Sequence, residues 1–286
     1  MEIKSILTHP GGSHKDEFLA CCVVLAKKAV AIERREPTDE DLADASICVL
    51  DVGHEHNPDK NNFDHHQFPA DQIPTCSLSL ILQHLELYKD ARQFCDWLEP
   101  AEWFDCRGPN DTAKWLNVKR EAIGQLNSPI DISLLRRFAK ETLVTEDSPL
   151  WQMMKMIGED LLNYITTLRE RINFVKENSE FWPITINNET HYFIYLPRTE
   201  PLPEDASGGV SQFIEESGKE NVIGIICPDR RGQGYGLSKF NDSPLLDFTK
   251  IEAFDDVHFA HKRGFIAKTS ATEKSRLEAL INAAIA

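Results

Sequence analysis

The chain has 286 residues, enough for one large domain or two ordinary ones, and a globular composition with 41% hydrophobic and 27% charged residues. Its net charge of −15 argues against a protein that coats long nucleic acid, because such binding needs a broad basic footprint. A short or single-stranded substrate needs only a local basic patch. Seven cysteines without CxxC or metal-finger spacing are typical of buried thiols in a reducing compartment. No apolar run has the length of a membrane span, and no signal or transit peptide is recognisable, so we expect a soluble, cytoplasmic protein.

The first 52 residues predict a parallel α/β sheet, because apolar runs alternate with a helical pattern. The carboxyl ends of parallel strands meet at one edge of the sheet, where ligands gather. His9 and Asp51 each stand at such an end, so we expect them to meet. The expected elements are strand 3–8, helix 14–29, strand 29–35, a short helix capped by Thr38, and strand 45–52.

The remainder of the chain predicts a helical region followed by an α+β region. The clearest helix begins at Ser148–Pro149, a cap followed by proline in the first turn. Beyond it, a hairpin around Asn187–Asn188 and a helix from Gly208–Gly209 to Gly218 indicate a change of fold type. The predicted class is therefore α/β, in three parts: a parallel-sheet domain at 1–115, a helical connector at 116–180, and a smaller carboxyl-terminal α+β domain at 181–286.

The segment His9-Pro-Gly-Gly-Ser-His14-Lys-Asp16-Glu17 joins the first strand to the first helix. Two glycines permit a tight turn, which places His14 and Asp16 in the first helical turn on the side of His9. A phosphate-binding P-loop is excluded, since GxxxxGK[ST] is absent. A plain structural interpretation also exists: Asp16 and Glu17 complement the helix dipole. That interpretation does not account for the two histidines.

The second cluster is the run from Asp51 to His66, which includes Asp64-His65-His66. Asp and His together suit divalent cations such as Mn, Zn or Mg. The alternative is a polar loop rich in turn-forming residues. His54 and His56 fall in the polar stretch between, and we leave them out of the site.

Asp105 is a third candidate, although on spacing alone it is equally well a helix cap or a solvent-facing carboxylate. With it, the candidates number six Asp and His side chains, about the number that two neighbouring divalent ions require. Such an ion pair makes hydroxide at neutral pH and stabilises the attacking and leaving oxygens of a displacement at phosphorus. The six are His9, His14, Asp16, Asp51, His65 and Asp105.

HPGGSHKDE, LDVG and FDHHQ, in this order and spacing, resemble the metal-binding motifs of the DHH phosphoesterase superfamily. Within it they are most similar to the MYG1 family, a group of UPF0160-like exonucleases whose first motif reads T-H-x-G-x-x-H-x-D-E. Thr8 to Glu17 reproduce that pattern, with Ser13 where the family usually has Phe. AHKRGFIA at Ala260–Ala267 resembles the family's V-H-x-S-G-F-I-G. The resemblance is strong in the first 110 residues and weak elsewhere, as in a divergent member.

The resemblance implies a role for each matching residue. Asp64 would orient His65 from outside the coordination sphere, and His66 would face the scissile phosphate, which makes Asp64 and His66 the catalytic candidates. Asp105 corresponds to the family's D-N-G, from which Cys106-Arg107-Gly108 departs. The implied ligands are His9 and His14 for one ion, Asp16, His65 and Asp105 for the other, and Asp51 bridging both.

In this superfamily the second domain holds the substrate. The resemblance therefore implies that basic residues near the carboxyl end bind substrate, whereas the alternative is ordinary solvated charge. The implied substrate-binding residues are Arg230, Arg231, Lys239, His261, Lys262 and Arg263.

The resemblance thus implies a Mn-dependent phosphodiesterase with two ions (Mg or Zn being alternatives). It would be a 3′→5′ exonuclease on RNA or short oligonucleotides that uses a hydroxide held between the ions. Three other functions stay open: a phosphatase or pyrophosphatase on a small metabolite, a Zn hydrolase on non-phosphate substrates, and a metal-binding interaction protein without catalysis. The oligomeric state stays open between a monomer and a homodimer, and we expect no membrane partner.

Overall fold

A computed structural model of the protein describes residues 2–125, 128–205 and 207–286. They form two compact units, Met1–Thr166 and Thr167–Ala286, each with one six-stranded sheet. The predicted α/β class with a parallel sheet is confirmed. The division between the units falls inside the segment predicted as a connector, and the domain boundaries of the sequence analysis stay a prediction. No helix in the described ranges has the length and apolar character to cross a membrane.

The sheet of the first unit is parallel at its centre. β1 pairs in parallel with both β2 and β3, with Thr8 opposite Arg34 on one side and Leu50 on the other. The short outer strands β4 and β6 run antiparallel to their neighbours, and the strand order is β4-β5-β3-β1-β2-β6. The carboxyl ends of β1 and β3 therefore share one edge, as the sequence predicts. The strands are β1 Ser5–Thr8, β2 Ala31–Arg34, β3 Ile47–Leu50, β4 His56–Asn57, β5 Asn62–Phe63 and β6 Leu143–Val144.

Helices cover this sheet, so its central strands are buried runs and do not alternate in polarity. Thr38 caps α2 as predicted: its hydroxyl accepts a hydrogen bond from the backbone N–H of Asp41, whose carboxylate bonds back to the Thr38 backbone. Ser148 precedes α8, again as predicted. The helices are α1 Lys15–Lys27, α2 Asp39–Ala43, α3 Ser77–His84, α4 Tyr88–Phe94, α5 Leu98–Trp115, α6 Arg120–Gln125, α7 Pro129–Phe138 and α8 Pro149–Asn178, with a 3-10 turn at Pro58–Lys60.

The second unit is a mostly antiparallel sheet with helix α10 packed against its core. Asn187 and Asn188 both have positive φ, 52° and 66°, and form the two-residue hairpin turn that the sequence predicts. The predicted helix beginning after Gly209 is confirmed as α9, and Gly218 ends it in the left-handed conformation. The elements are β7 Glu180–Ile186, β8 Glu189–Tyr195, α9 Val210–Ser217, β9 Val222–Pro228, β10 Tyr235–Lys239, a 3-10 turn Phe248–Ile251, β11 Val257–Ala260, β12 Ile266–Thr269 and α10 Lys274–Ala283.

Gly158 on α8 lies directly against the backbone of α1. A Cβ built at this position would lie 1.9 Å from the backbone oxygen of Cys22 on α1. We expect Gly158→Ala to force the helices apart and to lower the free energy of unfolding by about 2–3 kcal/mol. Urea denaturation measures this change.

Gly124→Ala on α6 is the matched control, because a Cβ built at Gly124 would meet nothing within 4 Å. Alanine is the better helix former, so this variant should be neutral or more stable by up to about 1 kcal/mol. A Gly158→Ala variant as stable as the control would show that the contact with α1 does not limit position 158.

Candidate metal centre

Two strand ends supply the first pair of polar side chains at the sheet edge. His9 follows β1 and Asp51 follows β3. The chain turns sharply after β3: Asp51 and His54 have φ of 59° and 54°, and Gly53 has φ of 96°. Left-handed backbone costs a residue other than glycine free energy, and asparagine and aspartate tolerate it best. The turn holds the Asp51 carboxylate at the edge.

Three further segments reach the same edge. His14 is the N-cap of α1, and Asp16 lies in its first turn. His65 follows β5 within the Asp64-His65-His66 loop. Asp105 lies in α5, three residues before Gly108, whose φ of 72° and ψ of 173° kink that helix. All six side chains predicted as metal ligands therefore come from the loops and helices around one sheet edge.

Their atoms converge at short distances. His65 Nε2 lies 3.1 Å from Asp51 Oδ1 and 2.9 Å from Asp105 Oδ2. His9 Nε2 lies 3.6 Å from Asp51 Oδ2. His14 Nδ1 lies 3.6 Å from Asp105 Oδ1. The geometry groups these residues into sets that could each hold a divalent cation.

Asp51 belongs to three of the four candidate sets among the described residues, and two of these three together contain all six predicted ligands. The ligand atoms within each set lie within 4.8 Å of one another, and Asp51 belongs to both. The first set combines Asp51 with residues that follow β1 or begin α1. The second set combines Asp51 with residues of α1, the loop after β5 and α5. The sets are His9, His14, Glu17 and Asp51, and Asp16, Asp51, His65 and Asp105.

Several polar atoms of this cluster make no hydrogen bond within the described part of the chain. Both carboxylate oxygens of Asp16, which is 1% exposed, have no hydrogen-bond partner. Asp51 Oδ1 and Asp105 Oδ2 are buried with His65 Nε2 as their ion-pair contact, and none of these three atoms makes a well-directed hydrogen bond. Buried carboxylates without partners are strongly destabilising unless a cation neutralises them. The donor set therefore fits a divalent cation with oxygen and imidazole ligands.

The pKa values of the cluster residues reflect the same excess of negative charge. Burial, with the nearby Asp51 and Asp105 carboxylates, raises the pKa of Asp16 well above its usual value. Burial also raises the pKa of Asp51. Burial disfavours protonated His65, but Asp105 and Asp51 outweigh it and raise the pKa of His65 to about 12. The cluster thus has a high affinity for positive charge, which a proton or a metal ion can supply.

Glu17 is a buried residue of the site that the sequence analysis did not select. Its Oε1 accepts a hydrogen bond of 3.0 Å from Arg34 at the end of β2, and its Oε2 contacts His9 Nε2. The hydrogen bond to Glu17 raises the pKa of His9 to about 9. Glu17 is the last residue of the motif H-x-D-E, so the motif itself could have indicated that Glu17 belongs to the site.

Arg34 connects the glycine turn after β1 to α7 through hydrogen bonds. Its guanidinium, 2% exposed, donates to the backbone oxygens of Gly11, Gly12 and Phe138 at 3.3, 3.1 and 2.9 Å. It also lies 4.4 Å from the centre of the Phe138 ring. Arg34 therefore fixes the glycine turn that carries the chain from His9 to α1.

Asp64 orients His66, which corrects the expectation that it orients His65. Asp64 Oδ1 accepts hydrogen bonds from the backbone N–H of His66 at 3.0 Å and from its Nδ1 at 2.6 Å. An aspartate commonly bonds the backbone two residues on, and this turn brings the His66 ring to Asp64. His65 Nδ1 instead lies 3.7 Å from Cys106 Sγ. The Asp64 Oδ2 atom accepts from the backbone N–H of His54.

The six predicted substrate-binding residues lie in the second unit and fall into two places. Arg230 and Arg231 line a cavity of about 880 Å³ beside β9, β10 and β12. Lys239 ends β10, and the other three form the turn between β11 and β12. Of the described residues, the cavity lining includes none of these four, Lys239, His261, Lys262 and Arg263.

The loop carrying the two arginines is tightly held. The guanidinium of Arg198 donates to the backbone oxygens of residues 229, 232, 233 and 234. The Asp229 carboxylate, 5% exposed, accepts a 2.7 Å hydrogen bond from Lys268 Nζ. A rigid loop thus presents Arg230 and Arg231 at the cavity.

Residues 5–85 match the sequence profile of the MYG1 family, described as an uncharacterised protein family (UPF0160). The MYG1 exonuclease of Rattus norvegicus is 39% identical over 64 residues, which cover 21% of this chain and 16% of that protein. The resemblance predicted from the motifs is thereby confirmed for this amino-terminal part. A solved exopolyphosphatase-related protein of Bacteroides fragilis aligns over 99% of this chain and 91% of its own, with 13% identity and a TM-score of 0.29.

Asp16→Asn tests the unsatisfied charge of the cluster. Without metal, removing a buried carboxylate from a group of like charges should leave the melting temperature unchanged or raise it. With Mn²⁺ at about 100 times its dissociation constant, the unmodified protein should gain about 2.7 kcal/mol, or roughly 5–10 °C, and the variant markedly less. Differential scanning calorimetry with and without metal measures both effects.

Asp96→Asn, which changes an exposed residue outside the candidate sets, is the control. A large loss of stability without metal in Asp16→Asn would contradict the charge argument.

Arg34→Met tests the buried ion pair. We expect it to lower the free energy of unfolding by about 3 kcal/mol, because Glu17 is left buried without its partner. The double variant with Glu17→Gln should lose less than the sum of the two single losses. The neighbouring Arg35→Met should cost about 1 kcal/mol or less, since the Arg35 side chain is partly exposed. Chemical denaturation supplies these values, and additive losses would mean that the pair is not coupled.

Proposed function

We propose that the protein is a divalent-metal-dependent phosphoesterase. More specifically, we propose a Mn-dependent phosphodiesterase that acts as a 3′→5′ exonuclease on RNA or short oligonucleotides. The observation that carries this proposal is the set of buried carboxylates at the sheet edge, Asp16, Asp51 and Asp105, for which the described residues provide histidine contacts but no lysine or arginine partner. The amino-terminal similarity to an exonuclease points to the same chemistry.

The proposed ligands follow from two of the sets that contain Asp51, the one with His9 and the one with Asp105. His9 and His14 would bind one ion and Asp16, His65 and Asp105 the other, with Asp51 common to both. Glu17 contacts His9 and is itself neutralised by Arg34, so we assign it to the orientation of His9. When bound, two such ions would activate water and stabilise charge on phosphoryl oxygens.

His66 is the residue proposed to act on the substrate. Its side chain is half exposed, and its Nδ1 donates to Asp64. That hydrogen bond fixes the ring and leaves Nε2 as the nitrogen available to a phosphoester. Protonated His66 would donate its Nε2 proton to a phosphoryl oxygen or to the leaving oxygen. Asp64 thus serves as its positioning residue.

Short substrates agree with the charge of the chain. A net charge of −15 repels long polyanions, so binding depends on local basic groups. Arg230 and Arg231 supply such a group at the cavity of the second unit, beside the hydroxyls of Ser207 and Ser238. We propose that this cavity binds phosphates of the substrate.

The test is hydrolysis by the full chain of 5′-phosphorylated RNA, DNA and pyrophosphate, with Mn²⁺, Mg²⁺ or Zn²⁺. We expect Mn-stimulated release of mononucleotides from RNA and its loss with a chelator. Asp51→Asn should lower the rate by about a hundredfold or more, because both proposed ion sites lose a ligand.

Asp96→Asn is again the control and should retain full activity. Mn-stimulated hydrolysis that survives in Asp51→Asn would show that the proposed site is wrong. Faster hydrolysis of pyrophosphate than of RNA would assign the protein to small phosphorylated metabolites. Bound metal without turnover on any of these phosphoesters would overturn the enzymatic proposal and favour a metal-binding interaction protein.

A further inference from the structure

A small cavity of about 250 Å³ adjoins the candidate metal centre within the first unit. His65, His66 and Asp105 form its polar side. The segment after His66 and the two residues after Asp105 form the remainder. A group held there would be in direct contact with the residues proposed to hold the ions and the phosphoester.

The segment after His66 contributes most of the apolar lining, together with the polar residues Gln72 and Thr75. Its apolar residues, which form a wall of the cavity, include Phe68, Pro69, Ile73 and Pro74. The Ile73 side chain is 78% exposed, so most of its apolar surface is free for contact with a ligand. Proline fixes its own backbone φ and restricts the preceding residue. The wall is therefore preformed, which reduces the entropy that a ligand must overcome.

Arg107 connects the two segments that enclose the cavity. One of its guanidinium nitrogens donates a 2.5 Å hydrogen bond to the backbone oxygen of Gln72. A guanidinium has five N–H donors, so others remain for a ligand. Arg107 lies just before the kink at Gly108. The part of α5 before this kink carries the helix residues that line the cavity.

We propose that this cavity is a nucleobase subsite that takes the base of a terminal nucleotide. The proposal rests on the proposed phosphodiesterase function and names the group that the site recognises beside the phosphate. A nucleobase has apolar faces for the wall of Phe68, Ile73 and the prolines, and polar edges for Arg107. A sugar or a second phosphate would leave that wall without a partner. The volume is below that of a pocket for a drug-sized molecule, so it accommodates one base and excludes a stack of several.

Binding without turnover gives the first test. The probes are adenosine 5′-monophosphate and ribose 5-phosphate, titrated into the Mn-loaded protein by isothermal titration calorimetry. Stacking of a base typically contributes roughly fivefold to a hundredfold in affinity, so the nucleotide should bind more tightly by a factor in that range. Ile73→Asp should reduce this ratio by roughly tenfold, because its added charge acts on the phosphate of both probes alike and only the nucleotide has a base to lose contact with the wall. Because Ile73 is largely exposed, the substitution should not disturb folding.

Ile130→Asp is the matched control, an isoleucine that is 69% exposed and lies outside this cavity. It should leave the ratio unchanged. Equal binding of the two probes, or an unaltered ratio in Ile73→Asp, would overturn the subsite.

Cleavage separates the failure of the subsite from the failure of the proposed function. Three trinucleotides serve as substrates: one complete, one abasic at its 5′ residue, and one abasic at its 3′ residue. We expect the KM to rise by roughly tenfold for only one of the abasic substrates, which identifies the end that enters the cavity. Equal cleavage of all three would reject the subsite and keep the phosphodiesterase. No cleavage of any of them would reject the function on which the subsite rests.

Discussion

The first unit depends on a concentration of negative charge that no described lysine or arginine neutralises. Asp16, Asp51 and Asp105 meet at one sheet edge, where protonated His65 offsets only part of their charge. Leaving several carboxylates in this condition opposes folding. The chain tolerates the arrangement because three separate devices hold it: a left-handed turn at Asp51, the start of α1, and the kinked helix α5. A device of that kind is expected where function requires a strained or charged arrangement.

Glu17 shows how selective this lack of neutralisation is. It lies next to Asp16 and is equally buried, yet Arg34 pairs with it. The same guanidinium holds the glycine turn through two backbone oxygens, so one residue satisfies the neighbouring charge and shapes the loop. No described lysine or arginine forms an ion pair with the other three carboxylates. Of the two neighbouring buried carboxylates, Glu17 is therefore neutralised by Arg34, and Asp16 is left available to a cation.

The sequence was informative wherever the relevant contact is local or follows from strand order. His9, Asp51 and the first turn of α1 could be placed together because parallel strands end at one edge. The hairpin at Asn187–Asn188 followed from turn chemistry. Glu17 and Arg34 were missed because their contact joins residues 17 positions apart, and an arginine at a strand end has no distinguishing pattern.

Asp64 was assigned to the wrong histidine because the resemblance supplied a role beside His65, whereas the local turn directs the carboxylate to the residue two positions on, His66. The cavity beside the candidate metal centre could not be predicted either, since its wall is an irregular proline-containing loop without periodicity. These cases share a cause. Side-chain direction in loops is set by contacts that the sequence does not display, whereas strand ends and helix starts are set by patterns that it does.

The departures from the family pattern are distributed unevenly around the site. On the proposed function, the residues that would hold the ions reproduce the motifs. The changes at Cys106 and Arg107, in contrast, lie in the wall of the small cavity, where Cys106 contacts His65 and Arg107 closes the loop onto α5. Substitutions in a cavity wall alter which group fits beside a phosphate and leave the charged groups unchanged. On the proposed subsite, the changes at Cys106 and Arg107 would therefore affect recognition of the substrate and would spare the residues proposed to hold the ions.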